Sequence, residues 1–419
     1  MTIPMRRDFV QRLTPVVLAQ VAGLACGIIG IKLTSRFVPP DALGQYGVFM
    51  SFTTIGMWVV HAGLIKYVSR HWAAESDKPA LLRQMLRLWR AKLPWLVGAA
   101  VAATIAILSL TTQVSVIVFI PLLVCAAALS LAAMGTTALQ VNREHWRDCA
   151  ISASGSVTRT FLPLGCFLLI GAQGLYAGLT LHTLVGLGLV AWVFRAHWRV
   201  RPSPKPLDVA PVYLGPAFTL IALSDWALSG VNRWIVAGNF GSVEAGFFTL
   251  AGNIAVILPI FAGTVLKQLF QPSLFALGDR HNPGALQQLL ARVDQVAAIF
   301  AALAVVGVLV LHLIMPWLVG PLVDQRYGAA LPWIVPAGFF SVAIITGQFY
   351  HLLLLAAKRE SHCAVVDLTG AGVLIGGGAL TALWHQDAFR WWLLVTPVLP
   401  WLINRPLARY RCQQASPSG

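Results

Sequence analysis

The sequence predicts an all-α polytopic membrane protein of about twelve transmembrane helices, arranged as two parallel six-helix repeats around a central cavity. Three observations lead there. Of the 419 residues, 58% are hydrophobic and only 11% charged, far more apolar surface than a globular core hides, so lipid must act as solvent. Apolar segments of about 20 residues, long enough to cross the hydrocarbon, recur along the whole chain. The two halves also resemble each other at a displacement of roughly two hundred residues.

Taken in order, the spans of the first half are Thr14–Phe37, Tyr46–Leu64, Leu93–Leu110, Val114–Gln140, Ala150–Ile170 and Leu175–Phe194. Those of the second half are Tyr213–Gly238, Ala245–Leu266, Val296–Met315, Ala330–Ala356, Ala364–Leu383 and Phe389–Asn404, the last being the least apolar in pattern. The halves therefore divide into bundles of residues 1–205 and 206–419. Orientation follows from the basic residues, because positively charged loops resist translocation. The amino end, alternate loops and the carboxyl tail hold 24 of the 30 lysines and arginines, which puts both termini in the cytoplasm. The opposite face has only Arg36, Arg326 and Arg390. Its loops are short, which excludes an extracytoplasmic catalytic domain.

The net charge of +15 is spread over loops between spans and not gathered on one solvated face, which argues against nucleic acid as a partner. The six cysteines are far apart, with no CxxC or Cys/His spacing, so neither a disulfide framework nor a metal site is expected. The first apolar stretch is too long for a signal peptide and reads as a retained span. There is no GxxxxGK[ST], no HExxH and no convincing nucleophile with its base, so no cofactor and no catalysis are expected.

Within the repeat, Phe37, Asp41 and Ala42 recur as Phe240, Glu244 and Ala245. Gly44 and Tyr46 recur as Gly246 and Phe248, and Lys66 as Lys267. Pro79, Leu82, Met85, Leu86 and Trp89 correspond without a gap to Pro283, Leu286, Leu289, Leu290 and Val293. Both stretches have an apolar stripe at i, i+3, i+4 and i+7, with Arg83, Arg87 and Arg90 elsewhere on the first copy, and read as surface helices, either interfacial or merely connecting. Six spans per half is an even number, so the copies enter the membrane the same way; such proteins commonly carry substrate between their halves.

A charge at the bilayer centre costs about 2.5 to 3.5 kcal/mol on insertion scales, so the remaining basic residues carry the functional argument. Arg159 falls near the middle of span five; Lys32 and Arg233 lie in the outer halves of spans one and seven. Lys32 and Arg36 are four residues apart and share a helix face. Lys32, Arg36, Arg159 and Arg233 are the expected lining of a cationic cavity. Two alternatives stay open: Lys32 and Arg36 could snorkel to the outer headgroups, and Arg159 could be locked in a pair with Asp225 or Asp367. Asp225, on one stripe with Ser229 and Asn232, and Asp367, near the cytoplasmic end of span eleven, are candidates for ion coupling. His61, His182 and His351 read as ordinary hydrogen-bonded histidines.

The run Phe37-Val38-Pro39-Pro40-Asp41-Ala42-Leu43-Gly44-Gln45-Tyr46-Gly47, followed by Ala62-Gly63-Leu64-Ile65-Lys66-Tyr67-Val68-Ser69-Arg70, resembles the Wzx-type oligosaccharide flippases of the multidrug/oligosaccharidyl-lipid/polysaccharide exporter superfamily. Asn232-Arg233 before Glu244-Ala245-Gly246-Phe247 is similar to the pattern of that family's seventh span. The resemblance implies translocation of undecaprenyl-pyrophosphate-linked oligosaccharide repeat units from the cytoplasmic to the periplasmic leaflet of a bacterial inner membrane, in O-antigen or related lipopolysaccharide synthesis. It also implies a polysaccharide polymerase and a chain-length regulator as partners. A doubly anionic pyrophosphate needs a cationic, hydrated path, while its prenyl tail can stay in lipid. The nearest rival is an ion-coupled drug or metabolite antiporter of the same superfamily, whose often cationic substrates a cationic cavity disfavours. A major-facilitator transporter lacks support in the loop after span two, and a polymerase or ligase would need a large outward loop.

Overall fold

The computed structural model describes residues 4–61, 63–65, 68, 72, 77–110, 119–142, 144–196, 216–278, 283–357 and 360–413. Lys66, the repeat counterpart of Lys267, and the first residues of the expected spans four and seven lie outside the described residues. The chain is all-helical in the described stretches apart from short turns and one isolated bridge between Val319 and Val323. The helices are α1 (Pro4–Phe37), α2 (Pro40–His61), α3 (Lys78–Ala91), α4 (Leu93–Leu110), α5 (Phe119–Val141), α6 (His145–Ile170) and α7 (Ala172–Val193). They continue as α8 (Pro216–Ala255), α9 (Ile257–Gly278), α10 (Pro283–Leu318), α11 (Ile334–Ala356), α12 (Glu360–Trp384), α13 (Gln386–Val395) and α14 (Arg405–Gln413). A 3-10 segment, Gln325–Trp333, leads into α11, and a 3-10 turn and a π turn join α13 to α14.

Among the described residues seven helices are long and apolar enough to cross a membrane, or eight if the pair Thr219–Ala255 and Ile257–Lys267, bent by 42°, is one span. The protein is thus a multi-pass, all-α membrane protein. Helix is the obligatory choice, because in hydrocarbon every backbone N–H and C=O must find its partner within its own segment.

The chain divides into two compact units, one of residues 1–38 and 48–223, the other of 39–47 and 224–419. In the first unit α6 and α7 form a hairpin turned at Gly171, and α1 packs along α6 while α5 packs on α7. Without a hydrophobic drive between helices in lipid, close backbone approach supplies the packing; a Cβ at Gly178 would lie 2.3 Å from the Cα of Pro163. Exposed Trp95, Trp146 and Trp192 stand at the ends of α4, α6 and α7 next to the basic loops, as an interfacial belt does.

Of the two readings of the amphipathic stretches, interfacial or connecting, the first copy fits the connecting one and the second fits neither. The second copy is no separate element but the first turns of α10, which runs unbroken into its span. The first copy, α3, is separated from α4 by Lys92 alone, and its stripe of Leu81, Met85 and Trp89 is buried against protein. Trp89 Nε1 donates to Ser130 Oγ at 2.7 Å and Lys78 Nζ to Asn142 Oδ1 at 2.9 Å. Those two bonds pin both ends of α3 along α5 in antiparallel sense.

The second unit is organised around Trp333, which is fully buried. Its indole donates to Glu244 Oε2 at 3.1 Å, Gln386 Nε2 donates to the same oxygen at 2.8 Å, and Arg390 lies 4.4 Å over the ring. Phe248 and Phe389 flank it at 5.3 and 6.1 Å. Inside α8, Gly241 has φ 89° and ψ 170°, a conformation open to glycine, so the sequence turns there between two helical pieces. The corresponding place in the first half is the break at Val38–Pro39 between α1 and α2.

The start of α2 belongs to the second unit and crosses the second piece of α8 at the repeat-related glycines. A Cβ on Gly44 would lie 1.9 Å from the carbonyl oxygen of Ser242, and one on Gly246 would lie 1.9 Å from that of Pro40. Ser242 also donates a hydrogen bond to Asp41. The contact is reciprocal: Gly44 meets Ser242 as its counterpart Gly246 meets Pro40. Helices this close can only be built where neither has a side chain at the crossing.

Candidate functional site

Three of the four expected cavity cations fall in the first unit, on helices that touch. Gly23, Cys26 and Gly30 face α6 from α1: a Cβ on Gly30 would meet Thr160 Cγ2 at 3.0 Å, and Thr160 Oγ1 donates to the Cys26 carbonyl at 3.4 Å. Lys32 follows Gly30 by two residues and Arg159 precedes Thr160 by one, so both lie within about one helical turn of this contact and at a common depth. Lys32, Arg36 and Arg159 are all exposed. Arg36, at the last turn of α1, lies 5.9 Å over the Phe37 ring.

His182 on α7 joins this neighbourhood. Its Nδ1 is 2.8 Å from Thr158 Oγ1, one residue before Arg159. From the sequence His182 is an ordinary hydrogen-bonded histidine, and hydrogen-bonded it is. Its closeness to Arg159 depends on how α6 and α7 pack, which no spacing in the chain records.

Arg233 and Asp225 lie on the first piece of α8, both half-buried, in the second unit. The polar stripe expected there is uneven. Ser229 is exposed and donates to its own helix at the Trp226 carbonyl, 2.8 Å away. Asn232 is 5% exposed, and neither Nδ2 nor Oδ1 has a hydrogen-bond partner. Leaving a buried amide without a partner costs about 1 to 3 kcal/mol, so Asn232 is held at a price in stability.

Asp367 lies in the first turns of α12. It is 8% exposed and lies 2.6 Å from Nδ1 of His351, which is equally buried. This pair joins α11 to α12 across the turn at residue 357, and the Sγ of Cys363 approaches the His351 carbonyl at 3.9 Å. Each residue taken singly is a weak signal in the sequence; the pairing between helices makes them one group.

A second cluster is absent from the sequence-based expectations. Asp294 on α10 accepts from Tyr350 at 3.0 Å, from Arg405 Nε at 3.0 Å and Nη2 at 3.1 Å, and from Arg409. These interactions hold Arg405 above its ordinary pKa, the hydrogen bond to Asp294 being the main cause. The signal for it in the chain is faint: an acidic residue just after the second amphipathic stretch and two arginines in the tail, more than a hundred residues away.

No family model matches the sequence, and no curated protein does. Solved structures do match, over nearly the whole chain. An inward-facing multidrug resistance transporter of the MATE family, in the MOP superfamily, aligns at TM-score 0.60 with 14% identity, covering 97% of this chain and 99% of that one. The lipid II flippase MurJ in an inward closed conformation aligns at TM-score 0.66 with 12% identity, covering 96% and 87%. The MATE multidrug transporter DinF-BH in complex with R6G aligns at TM-score 0.63 with 12% identity, covering 99% and 96%. The chain therefore has the fold of the MOP-superfamily transporters.

Proposed function

We propose that this protein is a flippase that moves undecaprenyl-pyrophosphate-linked oligosaccharide repeat units from the cytoplasmic to the periplasmic leaflet of a bacterial inner membrane by alternating access. The observation that carries the reading is the set of exposed cations at membrane depth, Lys32, Arg36 and Arg159 on the adjoining helices α1 and α6. In hydrocarbon such charges are unfavourable unless water or an anion meets them. A diphosphate supplies that anion, and Arg233 on α8 supplies a further cation in the second unit. The exposure of Arg159 favours lining over locking. The fold shared with a lipid II flippase supports a lipid-linked cargo. Asp225 and Asp367 are the proposed ion-coupling groups, the latter through His351.

The test is transfer of a fluorescent undecaprenyl-pyrophosphate oligosaccharide in vesicles, followed with a membrane-impermeant quencher. Losing one charged hydrogen-bonding group is worth about 1.5 to 3 kcal/mol, so Arg159→Ala should slow transfer by about tenfold or more while the protein stays folded. If the cargo never crosses under any imposed gradient, the flippase reading fails. The second reading, an ion-coupled drug or metabolite antiporter, draws on the buried His351–Asp367 pair and the MATE-like fold. It predicts uptake of organic cations driven by a pH gradient and insensitive to Arg159→Ala.

A further inference from the structure

The Asp294 cluster has more donors than its acceptor can serve. An ionised carboxylate offers about four acceptor sites. Two are taken by Nε and Nη2 of Arg405, one by Tyr350 and one by Arg409. Nothing is left for the other N–H groups of Arg409, and its Nε is buried without a partner. Two guanidinium charges face one carboxylate, which leaves the cluster with a net positive charge. Both arginines remain accessible, with side chains 37% and 41% exposed.

The depth of the cluster can be measured along two helices of the same unit. Exposed Trp317, Trp384 and Trp391 mark the outer end of this unit, as interfacial tryptophans do. Along α10, Asp294 lies about 35 Å from Trp317 at 1.5 Å per residue. Down the last span, Arg409 lies about 27 Å from Trp391 on the same rise. The hydrocarbon is about 30 Å thick, so both routes reach the inner headgroup boundary. Exposed Tyr410, next to Arg409, fits that level. The C-terminal helix is firmly seated there: Asn404, Ala408 and Cys412, four residues apart, are buried on one face, and Trp401 stacks edge-on to Tyr350 at 6.0 Å.

We propose that Arg405 and Arg409, held on Asp294, form a binding site for the phosphate of an anionic phospholipid headgroup in the leaflet that faces the basic loops. A phosphate offers several oxygens to a planar fork of N–H donors, and with Nε buried it is the terminal Nη groups of Arg409 that can present one. The headgroup layer is where such oxygens are densest. The site is independent of the cargo, because it sits on the C-terminal helix and not on α1, α6 or the first piece of α8. By fastening α14 to α10 and α11 through a shared lipid, it makes the stability of the second unit depend on membrane composition.

The experiment uses the full chain in discs of neutral phosphatidylcholine, with phosphatidylglycerol titrated in. Lipid retained on the protein is read by native mass spectrometry, and apparent melting temperature is followed in parallel. An arginine near a lipid surface is worth about a factor of five in binding, so Arg409→Gln should retain roughly fivefold less phosphatidylglycerol. Arg409→Lys, which keeps the charge and the contact with Asp294 but loses the fork, should fall between. Arg87→Gln on α3 removes the same charge from an exposed arginine outside the cluster and should behave as the unaltered protein. Equal retention by Arg409→Gln and the unaltered protein overturns the proposal, as does an equal loss in Arg87→Gln, which would mean unspecific attraction. Inorganic pyrophosphate at millimolar concentration is the second arm. If it stabilises the protein in neutral discs as strongly as phosphatidylglycerol does, a soluble phosphate and not the membrane is the ligand. Should Arg409→Gln melt far below the others in neutral lipid, the lysine variant decides: unchanged lipid retention there refutes a fork-specific site.

Discussion

Alanine at Gly44 or Gly246 is the sharpest test of the helix crossing in the second unit. Each new Cβ would lie 1.9 Å from a backbone carbonyl oxygen, that of Ser242 or of Pro40. An ordinary carbon–oxygen contact is about 3.2 Å or more, so the two helices would have to part by more than an ångström. No side chain can yield, because both clashing groups are main chain. Overpacking of this kind costs about 1 to 3 kcal/mol, and parting the helices also strains the hydrogen bond from Ser242 to Asp41, worth about 1.5 to 3 kcal/mol as a bond to a charged group. A loss near 3 kcal/mol follows for either variant. At about 2 to 4 °C per kcal/mol, this is a fall in apparent melting temperature of about 6 to 12 °C, read by intrinsic tryptophan fluorescence of the purified protein. Gly98→Ala is the control, since a Cβ there meets nothing within 4 Å; it should be neutral or slightly stabilising. Because the crossing is shared, the double variant Gly44→Ala/Gly246→Ala should cost clearly less than the sum of the singles: once the helices have parted for one methyl group, there is room for the other. Singles that melt like Gly98→Ala, or strict additivity, would refute the reasoning.

The remaining predictions concern side-chain pairs. His351→Ala leaves Asp367 buried without its partner and should destabilise by about 3 to 5 kcal/mol, whereas the double change to His351→Leu and Asp367→Leu should recover most of that in thermal unfolding. Trp89→Phe keeps the packing of α3 but loses the bond to Ser130, and should cost about 1 kcal/mol with an unchanged fold by circular dichroism. Lys92, between α3 and α4, is held below its ordinary pKa of 10.5 by burial. Between that lowered value and 10.5 the unfolded chain binds more protons than the folded one, so the contribution of Lys92 to stability rises with pH in this window. Lys92→Met should abolish that rise and be the more stable form at neutral pH; a denaturation series from neutral to alkaline pH would show it.

What the sequence determined by itself is whatever depends on one segment and its solvent. Apolar runs of spanning length dictate helices in lipid, because no other open structure satisfies its backbone there. The spacing of the repeat paired Gly44 with Gly246 in the sequence, but that the two lie opposed in one crossing is a contact between helices that the spacing does not record. The four candidate cations could be found from their rarity in apolar segments. Partnership was decided only by the tertiary structure. His351 with Asp367, Arg159 beside His182, and Asp294 with Arg405 and Arg409 are contacts between helices, and a helix surface offers several faces among which hydropathy does not choose once both lipid and protein neighbours are apolar. The amphipathic stretch of α3 shows this most clearly. Its stripe of Leu81, Met85 and Trp89 would suit a lipid interface or a neighbouring helix equally well, and only the bonds from Trp89 to Ser130 and from Lys78 to Asn142 decide for the helix.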